Sequence, residues 1–227
     1  MLTNNLILLS IMQILHISPV NSAAEIPQAM QDNAVTYHVV NNVNWPDDYP
    51  YCPKVEVALA HDGKNILVHY RVNEQSVRAV ADHDNGDVWE DACCELFISP
   101  NPSDGIYYNI ECNCAGTILL GQGTGRNDRT RAEQEVMSKI DRWTTFPLRS
   151  VFEEKPCDGE WQLALRIPAE CLFKHNITDL SGMKVRINVY KCGDKLSTPH
   201  FISLFPIDNP TPNFHLPEFF GEAELQK

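Results

Sequence analysis

VEVALAHDGKNILVHYRV, residues Val55–Val72, decides the fold class. Val55, Val57 and Leu59 fall on one side of an extended chain, and Ile66, Val68, Tyr70 and Val72 resume the same alternation. Between them His61-Asp62-Gly63-Lys64 carries a turn signal, so the segment predicts a β-hairpin with one face turned to a core. Glu95–Ser99 and Tyr107–Leu120 read as further strands, separated by the turn cluster Pro100-Asn101-Pro102-Ser103-Asp104-Gly105. Trp161–Ile167 alternates again, as do Val185, Ile187 and Val189, and Gly221–Leu225 reads as a last strand.

Helix signals are few. Thr130 followed by Glu133 has capping-box spacing, predicting a short helix over Arg131–Ile140, and Pro168 opens a second helical turn. Many short strands punctuated by Pro and Gly, with one or two short helices, describe an all-β chain: a single-domain β-sandwich or jelly roll.

The 227 residues suffice for a sizeable core, and 43% hydrophobic with 21% charged residues is ordinary globular usage. The formal charge of −12 says more. A surface this acidic repels phosphate backbones and anionic lipid, which argues against nucleic-acid and membrane-surface partners and leaves neutral polyols compatible. Leu6–Ile17 is an apolar run interrupted by Ser10, Gln13 and His16 and followed by Pro19, Ser22, Ala23 and Ala24. It is too short to span a membrane and has the layout of a secretory leader, although no Lys or Arg precedes it. Residues 1–24 are thus expected to be a signal peptide, 25–227 the mature domain, and the protein periplasmic, cell-surface or secreted. The alternatives are a misplaced upstream start and a poorly ordered N-terminal arm.

Eight cysteines are present, at positions 52, 93, 94, 112, 114, 157, 171 and 192. Their spacing makes no zinc pattern; buried thiols are the expectation, one or two disulfides the alternative. Gly121, Gly123 and Gly125 in GQGTGR lack both the dinucleotide register and the Lys-Ser/Thr of a phosphate loop, and read as a glycine-rich strand end. His83, His200 and His215 read as structural or loop histidines.

Residues 87–99, DVWEDACCELFIS, set a tryptophan among carboxylates directly before a strand. An indole face packs on the C–H groups of a pyranose while ionised carboxylates accept hydrogen bonds from its hydroxyls; the competing reading is a core tryptophan. Asp82, Asp84, Asp87, Glu90 and Asp91 could supply the hard oxygen ligands of calcium, with Asp82 and Asp84 first, though the EF-hand register is absent; the alternative is a solvated turn. No carboxylate pair is marked as catalytic, so a glycoside hydrolase is an alternative without a signature, and a protein-interaction sandwich is another.

Four blocks in order carry a resemblance: DNGDVWEDACCELFISP, YYNIECNCAGTILLGQG, RINVYKCGDKLSTPHFISLFPI and FHLPEFFGE. From about Tyr37 on, the chain resembles the family 9 carbohydrate-binding modules and their stand-alone relatives. The resemblance implies an immunoglobulin-like or jelly-roll sandwich that binds oligosaccharide or polysaccharide without catalysis, calcium as a possible but not required ion, and work beside a polysaccharide-degrading enzyme. Carried over residue by residue, it makes Trp89 the stacking face, Asp87 and Glu95 hydroxyl acceptors, Asn188 a donor and acceptor, and Arg126 a basic contact. Where the family places a second Trp, three residues after that Asn, this chain has Lys191, preceded by Tyr190. A single stacking face is therefore expected; at roughly 1–3 kcal/mol per aromatic contact, a lost face costs about one to two powers of ten in affinity.

Overall fold

A computed structural model describes residues 11–227. Sixteen strands run β1 Met12–His16, β2 Tyr37–Val39, β3 Asn42–Val43, β4 Lys54–His61, β5 Asn65–Asn73, β6 Ser76–Ala79, β7 Cys93–Ser99, β8 Tyr107–Asn113, β9 Ile118–Gly123, β10 Thr130–Arg131, β11 Asp141–Thr144, β12 Phe152–Pro156, β13 Glu160–Pro168, β14 Lys184–Cys192, β15 Phe201–Ser203 and β16 Gly221–Leu225. Two short helices, α1 Ile26–Asp32 and α2 Gln134–Met137, accompany them.

The expected hairpin is β4–β5, in antiparallel register from Lys54↔Asn73 to His61↔Ile66, with Gly63 at φ +84°, where a side chain would be strained. Its alternating face meets Leu96, Ile98, Ile110 and Cys112 of the opposite layer in the main core. The other face is covered too: Ala58, Ala60 and Leu67 pack under α1, whose Ile26 and Met30 are fully buried one turn apart. Each such side chain contributes about 1.5–3 kcal/mol by leaving water.

One layer runs β10-β9-β8-β7-β14-β16 and the other β4-β5-β13-β11, with β1 joining them. Met12–Ile14 pair with β16, and Leu15–His16 pair with β4, both in parallel, so β1 crosses the seam of the sandwich. Strand β1 thus lies within the span expected to be a signal peptide. Residues 1–10 of the supposed leader lie outside those described, but Met12 and Ile14 are core, and the interrupting Gln13 and His16 are exposed strand positions. The described part of the apolar run contains the strand Met12–His16, whose core-facing and exposed residues read in sequence as an apolar block. Helix α1, with Pro27 in its first turn, was likewise missed. The capping box does not form: Thr130 belongs to β10, paired with Gln122, and the N-cap of α2 is Glu133, with no side-chain cap.

Candidate functional site

Period-two alternation along β7 turns Cys94, Leu96 and Ile98 into the core and Cys93, Glu95 and Phe97 to the outer face. The ladders to β8 and β14 extend that face across the sheet. Glu95 lies opposite Glu111 and Tyr190, and Phe97 opposite Asn109 and Asn188. Just before β7, a single helical turn, Val88–Glu90, buries Val88 against Cys93, Leu119 and Cys192 and leaves Trp89 half-buried beside them. The Trp89 carbonyl accepts the Asp194 N–H at 3.2 Å and the Cys192 thiol at 3.5 Å, which ties the turn to the end of β14.

A second wall comes from the C-terminal loop. Phe214 lies flat on Tyr190, 4.1 Å between centroids and 8° between planes, and its carbonyl accepts the Tyr190 hydroxyl at 3.1 Å. His215 packs on Phe97 and shares a 2.9 Å hydrogen bond with the Tyr107 hydroxyl; burial, with Arg129 beside it, pulls its pKa down to about 3, so the ring is neutral. Between these walls is a cavity of about 290 Å³ lined by Trp89, Phe201, Phe214 and His215, by Glu95, Asn109, Glu111 and Asp194, and by Arg126, Arg129 and Arg131.

The acidic floor is unusual. Glu95 and Glu111 are 3% and 4% exposed, and burial pushes both carboxyls up, Glu95 further because Glu111 stands opposite. Glu95 accepts the Cys192 thiol at 3.1 Å, and Glu111 accepts the Asn109 amide at 2.7 Å while its Oε2 has no protein partner. Asp194, at the rim, is raised to about 6 by partial burial and the charge of Glu90. Carboxyl oxygens and an amide beside aromatic faces form a surface for a polyol with an apolar side.

Of the expected site residues, Trp89, Glu95 and Arg126 line the cavity. Tyr190 does not; fully buried, it supports Phe214 from beneath. Asp87 is exposed just before the helical turn and outside the cavity lining. Asn188 is wholly buried, its amide donating to the Phe205 carbonyl at 3.1 Å and its oxygen accepting the Phe205 N–H at 3.0 Å. It pins the chain that leads to the C-terminal loop. Lys191 points the other way, into the sandwich, with Nζ 2.8 Å from Glu74 and 2.8 Å from His200. Cross-strand from Cys94, it cannot stand for a site wall; Phe214 occupies that role.

The calcium expectation does not fit these residues. Asp84 is turned inward to Arg142 at 2.7 Å and Arg149 at 2.8 Å, which neutralise it, while Asp82 is exposed and meets His83 at 2.6 Å. Among the described residues one group has donor atoms close enough to share an ion: Cys93, Glu95 and Cys192, mutually within 4.8 Å. Its sulfur donors suit a softer metal than calcium. Burial pushes the Cys93 thiol up to about 12, and Cys192 further still.

Asn109, Glu111, Arg129, Arg131, Asp194, Phe214 and His215 were not singled out in the sequence. Asn109 and Glu111 had a usable signal, because they alternate with Tyr108, Ile110 and Cys112 along one strand.

Comparison with known proteins agrees with this architecture. No curated protein matches the chain. A crystal structure of a candidate carbohydrate-binding protein from Bacteroides uniformis is 42% identical, covering 95% of this chain and 98% of that one, with a TM-score of 0.91. Two structures of a family 9 carbohydrate-binding module from Caldicellulosiruptor kristjanssonii share the fold at 15% identity. The cellotriose complex has a TM-score of 0.59 over 95% of this chain and 93% of that one, and the glucose complex 0.55 over 95% of each. The model of carbohydrate-binding family 9 matches residues 24–225. With a β-sandwich, a walled cavity and a family match over most of its length, the chain belongs to carbohydrate-binding family 9.

Proposed function

We propose that the cavity binds a sugar unit without chemical conversion, Trp89 stacking on its apolar face and Glu95, Glu111 and Asn109 hydrogen-bonding its hydroxyls. The observation that carries this reading is the pairing of aromatic walls, Trp89 and Phe214, with a polar floor in one cavity. Family membership and the sugar complexes of the related fold support it. The second aromatic wall weakens the expectation of a single stacking face. Work beside a polysaccharide-degrading enzyme is the setting we propose. Titration of intrinsic tryptophan fluorescence with oligosaccharides should give a saturable change. Trp89→Ala should weaken binding by about 1–3 kcal/mol, roughly 5- to 150-fold. Unaltered affinity in that variant would refute the stacking role.

One observation favours a second reading. Glu95 and Glu111 face each other across the β7–β8 ladder, where side chains start about 4.5–5.5 Å apart, within reach of the separation a retaining glycosidase uses. Burial raises both carboxyls, however, whereas that chemistry needs one held ionised. Turnover of an aryl glycoside, lost in Glu111→Gln, would establish hydrolysis.

A further inference from the structure

Arg126, Arg129 and Arg131 stand on one segment, GTGRNDRTR, between β9 and the end of β10, and all three line the cavity. The segment is a built turn. Asp128, the only acid in it, accepts the Thr124 N–H at 2.8 Å, the Thr124 hydroxyl at 2.7 Å and the Gly125 N–H at 2.7 Å, which hold its carboxyl down at about 2. Its oxygens are therefore occupied in shaping the loop. Gly123 is needed there, since a Cβ would lie 2.7 Å from the Asp128 carbonyl; at Gly121 a Cβ would lie 2.8 Å from the Asn109 oxygen.

Two of the three side chains are held over aromatic rings. Arg129 stacks over Tyr107, 4.3 Å from its ring centroid, and donates to the Tyr107 carbonyl and the Asn109 oxygen. Arg131 stands 5.9 Å over the Trp89 ring. Four other arginines, at 78, 142, 149 and 166, have carboxylate partners, yet among the described residues none of these three makes an ion pair. In a chain with 30 acids against 18 Lys and Arg, three adjacent unpaired guanidiniums in one cavity call for an anion from outside.

The cavity's own acids make no ion pair with these arginines, although Arg131 and Arg129 act on Glu111 and Arg126 on Asp194 from a distance. Arg131 sits on the edge strand, whereas Glu111 and Glu95 lie two and three strands further in. Burial raises both carboxyls, which disfavours their charged form, while guanidiniums keep their charge. The net charge of −12 over the whole chain disfavours an extended polyanion.

We infer that the ligand is an acidic sugar, its ring against Trp89 and the carboxyl floor and its anionic substituent, a carboxylate or a sulfate ester, on Arg126, Arg129 and Arg131. This rests on the carbohydrate-binding reading and narrows it to a substrate class. Calorimetric titration of the full chain would compare a uronic-acid-terminated disaccharide, its counterpart with a neutral terminal sugar, and a sulfated counterpart.

The acidic sugar should bind about tenfold or more tightly than the neutral one, a preference that shrinks as salt is raised toward roughly 0.5 M. Arg126→Gln and Arg131→Gln should each reduce the ratio of the two affinities severalfold. Both residues are exposed, and if either variant misfolds the salt series on the wild type still decides. A sulfated sugar that matches the uronic acid points to charge alone, and a preference for the carboxylate points to planar bidentate pairing; both support the inference. Equal or tighter binding of the neutral sugar overturns it while leaving carbohydrate binding intact. Absence of binding to every sugar overturns both.

Discussion

Replacing Lys191 by methionine separates two accounts of that residue, because the structure buries it between the sheets and the family pattern would put it at the ligand. Lys191 is 0% exposed, 2.8 Å from Glu74, and donates to His200 at 2.8 Å and to the Cys192 carbonyl at 2.9 Å. Burial alone would lower its pKa, but Glu74 opposes this and the net shift is upward, which favours the charged ammonium. Burial and that ammonium pull His200 down to about 2, so it accepts as a neutral ring. Lys191→Met leaves Glu74 buried with the Trp161 indole N–H, 2.9 Å away, and the neutral His200 ring, 3.5 Å away. Breaking a buried pair from one side costs about 3–5 kcal/mol, which in a chain of this size lowers the melting temperature by roughly 6–20 °C. Urea unfolding should show the loss, and Glu74→Gln combined with Lys191→Met should recover most of it, since no charge is stranded. Sugar affinity of the folded variant should match the wild type. A fully stable Lys191→Met protein that no longer binds sugar would refute this placement.

Ile14→Ala, in the strand that joins the two layers, should destabilise the fold by about 2–5 kcal/mol in chemical denaturation; a negligible loss would mean β1 is not part of the core. All eight cysteines are free and six are buried, so a thiol reagent should modify only Cys52 and Cys157 readily in the native protein and all eight after denaturation. Fast native reaction of further thiols would contradict that burial. The Asp194 carboxyl, raised to about 6, binds a proton more readily in the folded chain than in the unfolded one. Its stabilisation is therefore complete below about pH 4 and lost as pH rises through 6, with Glu95 and Glu111 acting in the same direction. Thermal melts from pH 4 to 8 should show this decline, flattened in Asp194→Asn; an identical profile in that variant would assign the slope elsewhere.

The hairpin Val55–Val72 was legible because a half-buried strand writes its core face at every second residue. Trp89 and Glu95 were legible because a short local segment places both. The misplacement of Lys191 was avoidable on the same grounds: residues three apart on a strand face opposite sides, so Asn188 and Lys191 cannot share a wall, whereas Cys192 and Tyr190 can. Strand β1 was obscured because its partners, Ala223–Leu225 and Ala60–His61, lie far along the chain and a five-residue alternation resembles an apolar block. Phe214 had no local signal at all. Its place is set by stacking on Tyr190, 24 residues earlier, and by the loop that Asn188 pins. Of the arginine loop, only the glycines and Arg126 were legible, because the loop's shape depends on Asp128 being turned back on Thr124 and Gly125.

A glycan array probed with the wild-type chain and with Trp89→Ala side by side tests the central claim most directly. Saturable binding to a defined set of glycans by the wild type, lost or strongly reduced in the variant, is the predicted result. A blank array for the wild type, or an undiminished pattern in Trp89→Ala, would contradict the assignment of the cavity between Trp89 and Phe214 as the sugar site.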